Sequence, residues 1–337
     1  MSKKVQLELF LLDNLIWVIV AGFFLMNIIV TPNFATYGNF VNILFHSTIM
    51  SMLVLGEGLV LIIGALDLSL ESIVAFAPGV VMLMATQWIP GGINPVMCII
   101  LTLAVGALVG YFNGFFIARI GVNPLLQTLS VEIMLRGLVL FLVPFSIFPL
   151  HKIYTYAGQA RLFLNIPAAI IIMLIVYVVL HLILQYTTFG RNFMATGGNA
   201  RASFIAGINT NRMVIAAFVL AGLLAALAGL LAAGRQGSIS NTMGQGMIML
   251  AFAGAILGGC SLDGGKGTPL GMLGGTILLG MIDNSLNLLG VGVTLVYATQ
   301  GALIFMAIII DRVRAKARSY LLHQEQVKKL AGQEQQA

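Results

Sequence analysis

The sequence predicts an all-α protein that crosses a membrane many times. Of its 337 residues, 59% are hydrophobic and 8% are charged, whereas soluble domains carry about 25% charged residues. The mean hydropathy is +1.02, and the apolar residues form segments close to the length of about 20 residues that a membrane-spanning helix needs. A globular core could not absorb this much apolar surface, so the sequence predicts a polytopic membrane protein.

Ten apolar segments are candidate membrane spans. They are residues 14–31, 42–64, 72–88, 95–118, 125–143, 164–185, 212–233, 245–260, 269–289 and 294–311. Lys3 and Lys4 precede the first segment as in a signal peptide, but the apolar run continues to Val30 without a small-residue cleavage site. The first segment is therefore predicted to be retained as a span.

The positions of Lys and Arg predict the orientation of these spans. With the N-terminus inside, 13 of the 17 basic residues lie on the cytoplasmic side, three lie outside and Arg136 lies within a span. Cytoplasmic loops are typically the basic ones. The chain is predicted to have a cytoplasmic tail (1–13), a transmembrane domain (14–311) and a second cytoplasmic tail (312–337). The net charge of +6 is attributed to this asymmetry in the lipid bilayer, and no nucleic-acid partner is expected.

An internal repeat is predicted from a weak self-similarity. Spans two to five align with spans seven to ten at an offset near 170, which matches Gly110 with Gly280 and Asn113 with Asp283. Because the copies lie five spans apart, they would have inverted topology, as in many transporters whose pathway lies between the repeats. Chance matches are the alternative, because the chain has 38 glycines.

The longest polar interval between apolar segments is residues 189–211. Gly197 and Gly198 permit a sharp turn there. Asn199 is placed to cap a short helix, which Gly207 can end. A helical peg of this kind, held between two membrane helices, can pass force from a soluble partner into a membrane domain.

The peg is expected to carry one apolar stripe, with its arginines elsewhere. The stripe consists of residues at near-helical spacing: Phe189, Phe193, Ala200 and Phe204. An amphipathic turn on the membrane surface is the alternative interpretation. The apolar helix that follows is predicted to be capped by Asn211.

Polar groups inside the predicted spans are candidates for the lining of a solute pathway, because such groups usually face a partner or a cavity. They are Glu57, Asn113, Glu132, Asp283, Asn284 and Asn287. Glu132 and Arg136 are spaced i, i+4 and are predicted to pair, whereas Glu57 has no evident local partner. Carboxylates and amides suit a polyhydroxylated solute, but they also suit contacts between helices, and the sequence leaves both open.

Two turns carry further features of interest. Asp67 and Ser69 follow span two; each is placed to cap the next helix, or to face a partner ATPase or the inner mouth of the pathway. Residues 258–269 are glycine-rich, but Cys260 and Gly267 stand where a phosphate-binding loop requires Gly and Ser or Thr. The chain is therefore not expected to bind ATP, and this second stretch is expected to be a flexible cytoplasmic turn.

The sequence contains no pattern typical of an enzyme. It has no His-Glu-x-x-His or Gly-x-Ser-x-Gly motif, and its four histidines are far apart. Cys98 and Cys260 lie in separate apolar segments and match no metal or redox spacing. We therefore predict no catalytic residue, no cofactor and no metal site.

Several stretches resemble the ribose-type sugar permeases of ATP-binding-cassette (ABC) transporters, which are related to branched-chain amino-acid permeases. They are GRNFMATGGNARASFIAGINTNR with FVLAGLLAALAGLL, GALDLSLES, LGGCSLDGGKGTPLG and GMIDNSLNLLGV, and they run from span two to span ten. The resemblance implies a permease without its own ATPase, in a bacterial inner or plasma membrane with both termini cytoplasmic. Its partners would be a cytoplasmic ATP-binding cassette, a periplasmic or lipoprotein solute-binding protein, and a second permease chain.

The resemblance also assigns the polar interval as the coupling loop that sits in a groove of the ATPase. The residues it assigns to coupling are Gly190, Arg191, Gly197, Gly198, Asn199, Arg201, Ala202 and Gly207. The sequence departs from the family pattern at Ala65 and Glu71, where Gly is usual, and at Glu57, where Gln is frequent. The run Gly-Gly-Asn at 197–199 favours the sugar branch over the amino-acid branch. A proton-coupled secondary transporter that uses Glu57, Glu132 or Asp283 is the remaining alternative.

Overall fold

A computed structural model describes residues 14–162 and 165–334, and the predicted N-terminal tail, 1–13, lies outside these ranges. The described residues form thirteen α-helices. In chain order these are α1 (Leu15–Val30), α2 (Tyr37–Ile62), α3 (Leu70–Leu83), α4 (Pro95–Phe115), α5 (Pro124–Leu142), α6 (Lys152–Gln159), α7 (Ala168–Tyr186), α8 (Thr188–Gly198), α9 (Ala200–Ile205), α10 (Thr210–Gln236), α11 (Met247–Leu257), α12 (Pro269–Leu288) and α13 (Val293–Glu334). Two π-helical turns, Met84–Trp88 and Phe116–Ile120, extend α3 and α4.

The prediction of an all-α polytopic membrane protein is confirmed. Each of the ten predicted spans overlaps one helix, namely α1–α5, α7 or α10–α13. Within the described residues, seven helices are long and apolar enough to cross a membrane on their own, while α1 and α11 are shorter apolar helices. Helix α13 continues without a break past residue 312, where the C-terminal tail is predicted to begin.

Short polar motifs fix where several of the long helices begin. Asn94, Asn123 and Thr268 each precede a proline and accept a hydrogen bond from a backbone N–H in the first turn. Proline suits the first helical position because the N–H it lacks would have no partner inside the helix. This pairing of a capping side chain with proline explains the sharp starts of α4, α5 and α12.

Helix α3 begins at a buried residue, Leu70, and α11 is too short to cross a membrane on its own. Helix α11 has 11 residues, about 16 Å at 1.5 Å per residue, which is half the thickness of the hydrocarbon core. Each helix follows a non-helical stretch with buried residues: the first unwound segment (63–69) contains Asp67 and Ser69, and the second (237–246) contains Ile239 and Met243. Non-helical backbone at membrane depth needs partners within the protein.

The packing of the helices supports the predicted repeat of α2–α5 in α10–α13. Helix α4 packs against α10, as α12 packs against α2; α3 packs against α10, as α11 packs against α2; and α5 packs against α3, as α13 packs against α11. Individual residues follow the same offset, because Gly110 faces Phe218 and its counterpart Gly280 faces Ser47. A chance match of glycines would not reproduce these contacts.

The contact between α4 and α10 depends on the absence of side chains. A Cβ atom at Gly106 would overlap the carbonyl oxygen of Gly222, and one at Gly110 would overlap that of Phe218. Small residues let helix backbones approach closely in membrane proteins, where dispersion contacts replace the hydrophobic effect between helices. The predicted glycine face of α4 is therefore used within the chain.

Gly110→Ala is expected to lower the stability of the purified protein. The new methyl group would lie 2.7 Å from the carbonyl carbon of Phe218, and overpacking of this kind typically costs about 1–3 kcal/mol. Gly137→Ala in α5 is the matched control, because nothing lies within 4 Å of the methyl group there. Thermal unfolding in detergent should separate the two variants, and equal melting temperatures would contradict the close packing of α4 on α10.

Candidate coupling surface and solute pathway

The coupling segment, residues 189–211, consists of two short helices joined by a turn. Asn199 Oδ1 accepts a hydrogen bond from the N–H of Ala202 at 2.9 Å and caps α9. Gly207, with φ of +85°, follows the end of α9. The predicted cap and stop are thus present, whereas the turn predicted at Gly197 and Gly198 falls at Asn199 instead. Residues up to Gly198 were not predicted to be helical, but they form α8.

The cap predicted at Asn211 is wrong. Asn209 Oδ1 accepts from the N–H of Arg212 at 3.1 Å, and α10 begins at Thr210. Asn211 therefore already lies in the first turn of the helix. The two asparagines are two residues apart, and the chain uses the earlier one.

The coupling segment presents an exposed face and a buried face. The exposed members of the predicted coupling set are Arg191, Gly198, Asn199, Arg201, Ala202 and Gly207. Phe204 and Ile205 are also exposed, at 71% and 78%, whereas Phe193 is buried. The single apolar stripe expected along the segment is therefore divided: the turn at Asn199 directs the aromatic ring in α8 inward and the one in α9 outward.

Glycines fix the buried face of the coupling segment to the bundle. A Cβ atom at Gly197 would overlap the carbonyl oxygen of Ile62 at the end of α2, and one at Gly264 would lie 3.1 Å from Cα of Gly64. The N–H of Gly265 donates to the same Ile62 oxygen at 2.8 Å. We call the contact among Gly64, Gly197, Gly198, Gly264 and Gly265 the glycine junction, and the end of the bundle where it lies the coupling end.

The glycine junction corrects the expectation of a flexible turn at residues 258–269. Gly264 and Gly265 have φ of +79° and +72°, and their backbone packs against the end of α8. Only glycine adopts such backbone angles at little cost. The turn is therefore a packed part of the coupling end rather than a loop that projects into solvent.

The first unwound segment is held by side chains of three helices. Glu57 Oε2 accepts from the N–H of Asp67 at 3.3 Å, and Thr128 Oγ1 accepts from the N–H of Leu68 at 3.2 Å. Asn113 Nδ2 donates to Ser69 Oγ at 2.9 Å. Glu57, Asn113 and Thr128 are fully buried. Glu57 and Thr128 provide partners for backbone that a helix would have satisfied by itself, and Asn113 holds the side chain of Ser69.

The predicted capping of α3 by the side chains of Asp67 and Ser69 is not observed. Ser69 occupies the position before the helix but makes no side-chain cap. Asp67 Oδ1 instead accepts from the N–H of Ser69 at 3.0 Å and from its hydroxyl. Both residues stabilise the bend that leads into α3.

The second unwound segment is held by Arg136 and Glu71. Arg136 Nη1 donates to the carbonyl oxygens of Asn241 at 3.0 Å and Met243 at 3.3 Å. Its Nη2 lies 3.9 Å from Glu71 Oε1, while Glu71 Oε2 accepts from the N–H of Ile248 at 3.2 Å. A carboxylate from the first repeat therefore caps a helix of the second, where the positive end of the helix dipole favours it.

The predicted pair of Glu132 and Arg136 is wrong. Glu132 Oε1 accepts from the hydroxyl of Ser72 at 3.3 Å, and the carboxylate next to Arg136 is that of Glu71. Although Glu132 and Arg136 are spaced i, i+4, Arg136 instead bonds to carbonyl groups of the second unwound segment. The sequence pattern does not indicate these carbonyl groups as partners. Glu57, Asn113 and Glu132 thus lie in contacts that support the helices, and their predicted role in a pathway stays a prediction.

A cavity of about 560 Å³ lies toward the far end of the bundle, opposite the coupling end. The first half of α2, the start of α11, the second half of α12 and part of α13 enclose it. Its polar lining comprises Asn39, Asn42, His46, Ser47, Thr276, Asp283, Asn284, Asn287 and Gln300. Three of the six predicted pathway residues, Asp283, Asn284 and Asn287, therefore border one cavity, and the other three do not.

Polar side chains form non-covalent contacts between helices at the rim of this cavity. Asn39 and Asn284 exchange two hydrogen bonds, of 3.0 Å and 2.9 Å, between α2 and α12. Arg235 contacts the ring of His46 and lies 5.1 Å from the centre of the ring of Phe45. Asn39, Asn42 and Ser47 were not among the predicted site residues. Their signal was weak: small polar residues that recur along the first turns of an otherwise apolar helix.

Among the residues that the structure describes, no cluster of three or more His, Cys, Asp or Glu side chains could hold a metal ion. Cys98 and Cys260 form no disulfide bond, and both are buried.

The fold and these sites are those of a multispanning transport permease, and comparison with known proteins identifies the family. A family model described as the permease component of the branched-chain amino acid transport system matches residues 39–310. The ribose import permease protein of Bacillus subtilis is 36% identical over 301 residues, which cover 87% of this chain and 92% of that protein. The chain therefore belongs to this family of ABC-transporter permeases, and the recognition of its sequence motifs is confirmed.

Other relatives in the family carry sugar names. The ribose import permease protein of Escherichia coli K12 is 34% identical, with coverage of 83% of this chain and 88% of that protein. The L-arabinose transport system permease protein of the same strain is 32% identical, with coverage of 89% and 90%. No solved structure shows a significant match to the chain.

Proposed function

We propose that this protein is the membrane-spanning subunit of an ABC importer that carries a sugar or similar polyhydroxylated solute across a bacterial inner or plasma membrane. The observation that carries the proposal is the coupling segment. Its outer face exposes Arg201, Phe204 and Ile205, while its inner face meets the bundle through backbone contacts at Gly197. Such a segment suits a soluble partner on one side and force transfer on the other.

In this mechanism the chain hydrolyses no ATP. A cytoplasmic ATP-binding cassette docks on the exposed residues of α8 and α9, and closure of two cassettes moves the coupling segment. The glycine junction passes this motion to the end of α2 and to the turn before α12. Both termini then lie in the cytoplasm, and a solute-binding protein delivers the solute at the far end. A second permease chain completes the assembly.

The experiment is uptake by proteoliposomes that contain the permease, its cassette protein and its solute-binding protein. Uptake of a labelled sugar should require internal ATP and should persist when a protonophore removes the proton gradient. Uptake that survives without ATP and stops with the protonophore would instead establish a proton-coupled secondary transporter.

A second candidate function is the import of branched-chain amino acids, because the matching family model carries that description. The sugar names of the relatives and the Gly-Gly-Asn run at 197–199 favour a sugar. Competition of labelled ribose uptake by unlabelled leucine distinguishes the two candidates. Leucine should not compete if the proposal is correct.

A further inference from the structure

The far-end cavity contains a polar group for which the protein itself supplies no partner. The side chain of Ser47 is 3% exposed, and its Oγ has no hydrogen-bond partner among the described residues. It borders the cavity, and it occupies the space beside Gly280 that a Cβ atom there would fill. A buried hydroxyl without a partner is unfavourable, so a ligand that hydrogen-bonds to it, once the side chain turns from Gly280 toward the cavity, would recover that loss.

The other polar groups of the cavity divide into those already used and those still free to bind. The amides of Asn39 and Asn284 satisfy each other across the rim. Asp283 also borders the cavity, and its carboxylate accepts a hydrogen bond from the side chain of Gln300. An ionised carboxylate has about four acceptor positions, so one bond from Gln300 leaves Asp283 able to accept further donors.

The charge of the lining selects the class of ligand. Of the described residues that border the cavity, Asp283 is the one carboxylate and none is Lys or Arg. A ligand carboxylate would therefore face the negative charge of Asp283, whereas Arg235 at the rim already contacts the ring of His46. A neutral molecule with several hydroxyl groups can donate to Asp283 and bond to Ser47 at the same time. The volume of about 560 Å³ is within the range of about 300–1,000 Å³ of small-molecule sites.

We propose that the far-end cavity is a binding site for a neutral monosaccharide, with Ser47 and Asp283 as its hydrogen-bonding groups. This inference rests on the proposed function, since it places the solute of that function in one named site of the chain. Asn284 acts as a cross-link at the rim rather than as a ligand group. The lining has no Phe, Tyr or Trp side chain among its described members, so hydrogen bonds rather than stacking on a large aromatic ring hold the sugar.

The test is protection of a reporter cysteine in membranes that contain the complete transporter. Leu288→Cys places a thiol at the mouth of the cavity, where Leu288 is 41% exposed. The native Cys98 and Cys260 are buried and should react slowly with a water-soluble maleimide. D-ribose, L-arabinose or D-allose at millimolar concentration should slow the alkylation of the reporter, and leucine should not.

Variants in the reporter background identify the binding groups. Asp283→Asn should raise the sugar concentration for half-protection at least tenfold, because a good hydrogen bond to a charged group is worth about 1.5–3 kcal/mol. Ser47→Ala should raise it several-fold. Asp263→Asn removes an exposed carboxylate outside the cavity and should leave protection unchanged.

Each outcome of this test decides the inference. No protection by any of the three sugars, equal protection by leucine, or unchanged protection in Asp283→Asn would overturn it. ATP-driven uptake of the same sugars by the parent complex separates this inference from the proposed function. Uptake without protection would overturn the cavity site alone, whereas uptake that needs no ATP would overturn the proposed function.

Discussion

Gly197→Ala is expected to lower ATP-driven uptake by about five- to hundredfold while the protein still inserts into the membrane. The added methyl group would overlap the carbonyl oxygen of Ile62 and lie 2.9 Å from the backbone nitrogen of Gly265. Both neighbours are main-chain atoms, so α8 must move away from the bundle. Overpacking costs about 1–3 kcal/mol, and each 1.4 kcal/mol shifts an equilibrium tenfold, here between the seated and the displaced coupling segment.

Gly198→Ala is the matched control, since it makes the same chemical change at the next residue. The nearest atom to a methyl group at Gly198 is Cα of Gly265, at 3.9 Å, which is ordinary van der Waals contact. Uptake and ATP hydrolysis should be measured together in proteoliposomes of the complete transporter. Wild-type uptake by Gly197→Ala, or an equal loss in Gly198→Ala, would show that the glycine junction does not transmit the motion.

Arg136→Ala is expected to destabilise the protein by about 3–5 kcal/mol, the usual cost of removing one partner of a buried ion pair. The change leaves the carboxylate of Glu71 without its nearest cation. It also removes the donor to the carbonyl oxygens of Asn241 and Met243. Chemical unfolding of the purified protein in detergent micelles measures the loss.

Three further variants separate the causes of this effect. Arg136→Lys keeps the charge but has no planar fork with which to hold two carbonyl groups and a carboxylate, so an intermediate loss is expected. Glu71→Gln keeps an oxygen for the N–H of Ile248 and should cost less than Arg136→Ala. Arg212→Ala removes an exposed arginine and should change the stability by less than about 0.5 kcal/mol. A loss below 1 kcal/mol in Arg136→Ala would mean that water or lipid satisfies the second unwound segment.

The sequence predicts the helices well because their signal is local. Apolar segments of membrane length mark the spans, and a capping residue such as Asn123 followed by proline marks where a helix starts. The coupling segment is equally local: Asn199 and Gly207 carry the cap and the stop within a few residues of α9. The same reasoning named Asn211 as the next cap, whereas the backbone uses Asn209, an equivalent residue two positions earlier.

The polar residues inside the membrane could not be assigned in this way, because their partners are distant in sequence. Glu57 meets Asp67, and Arg136 meets Asn241, but sequence periodicity does not reveal that α3 and α11 each follow an unwound segment with buried residues. Once the two unwound segments are known, the intramembrane charges have a physical reason, since buried backbone groups need partners. Asp283 differs from these residues because it faces a cavity rather than unwound backbone.

The glycine junction joins α8 to both repeats through main-chain atoms rather than through side chains. A side chain can change its rotamer and so absorb part of a displacement. A contact between two backbone segments has no rotamer to change. Ile62 belongs to the first repeat and Gly265 to the second, and both touch the same turn of the coupling segment. In the proposed function, a push on that turn would therefore reach both repeats directly through main-chain contacts.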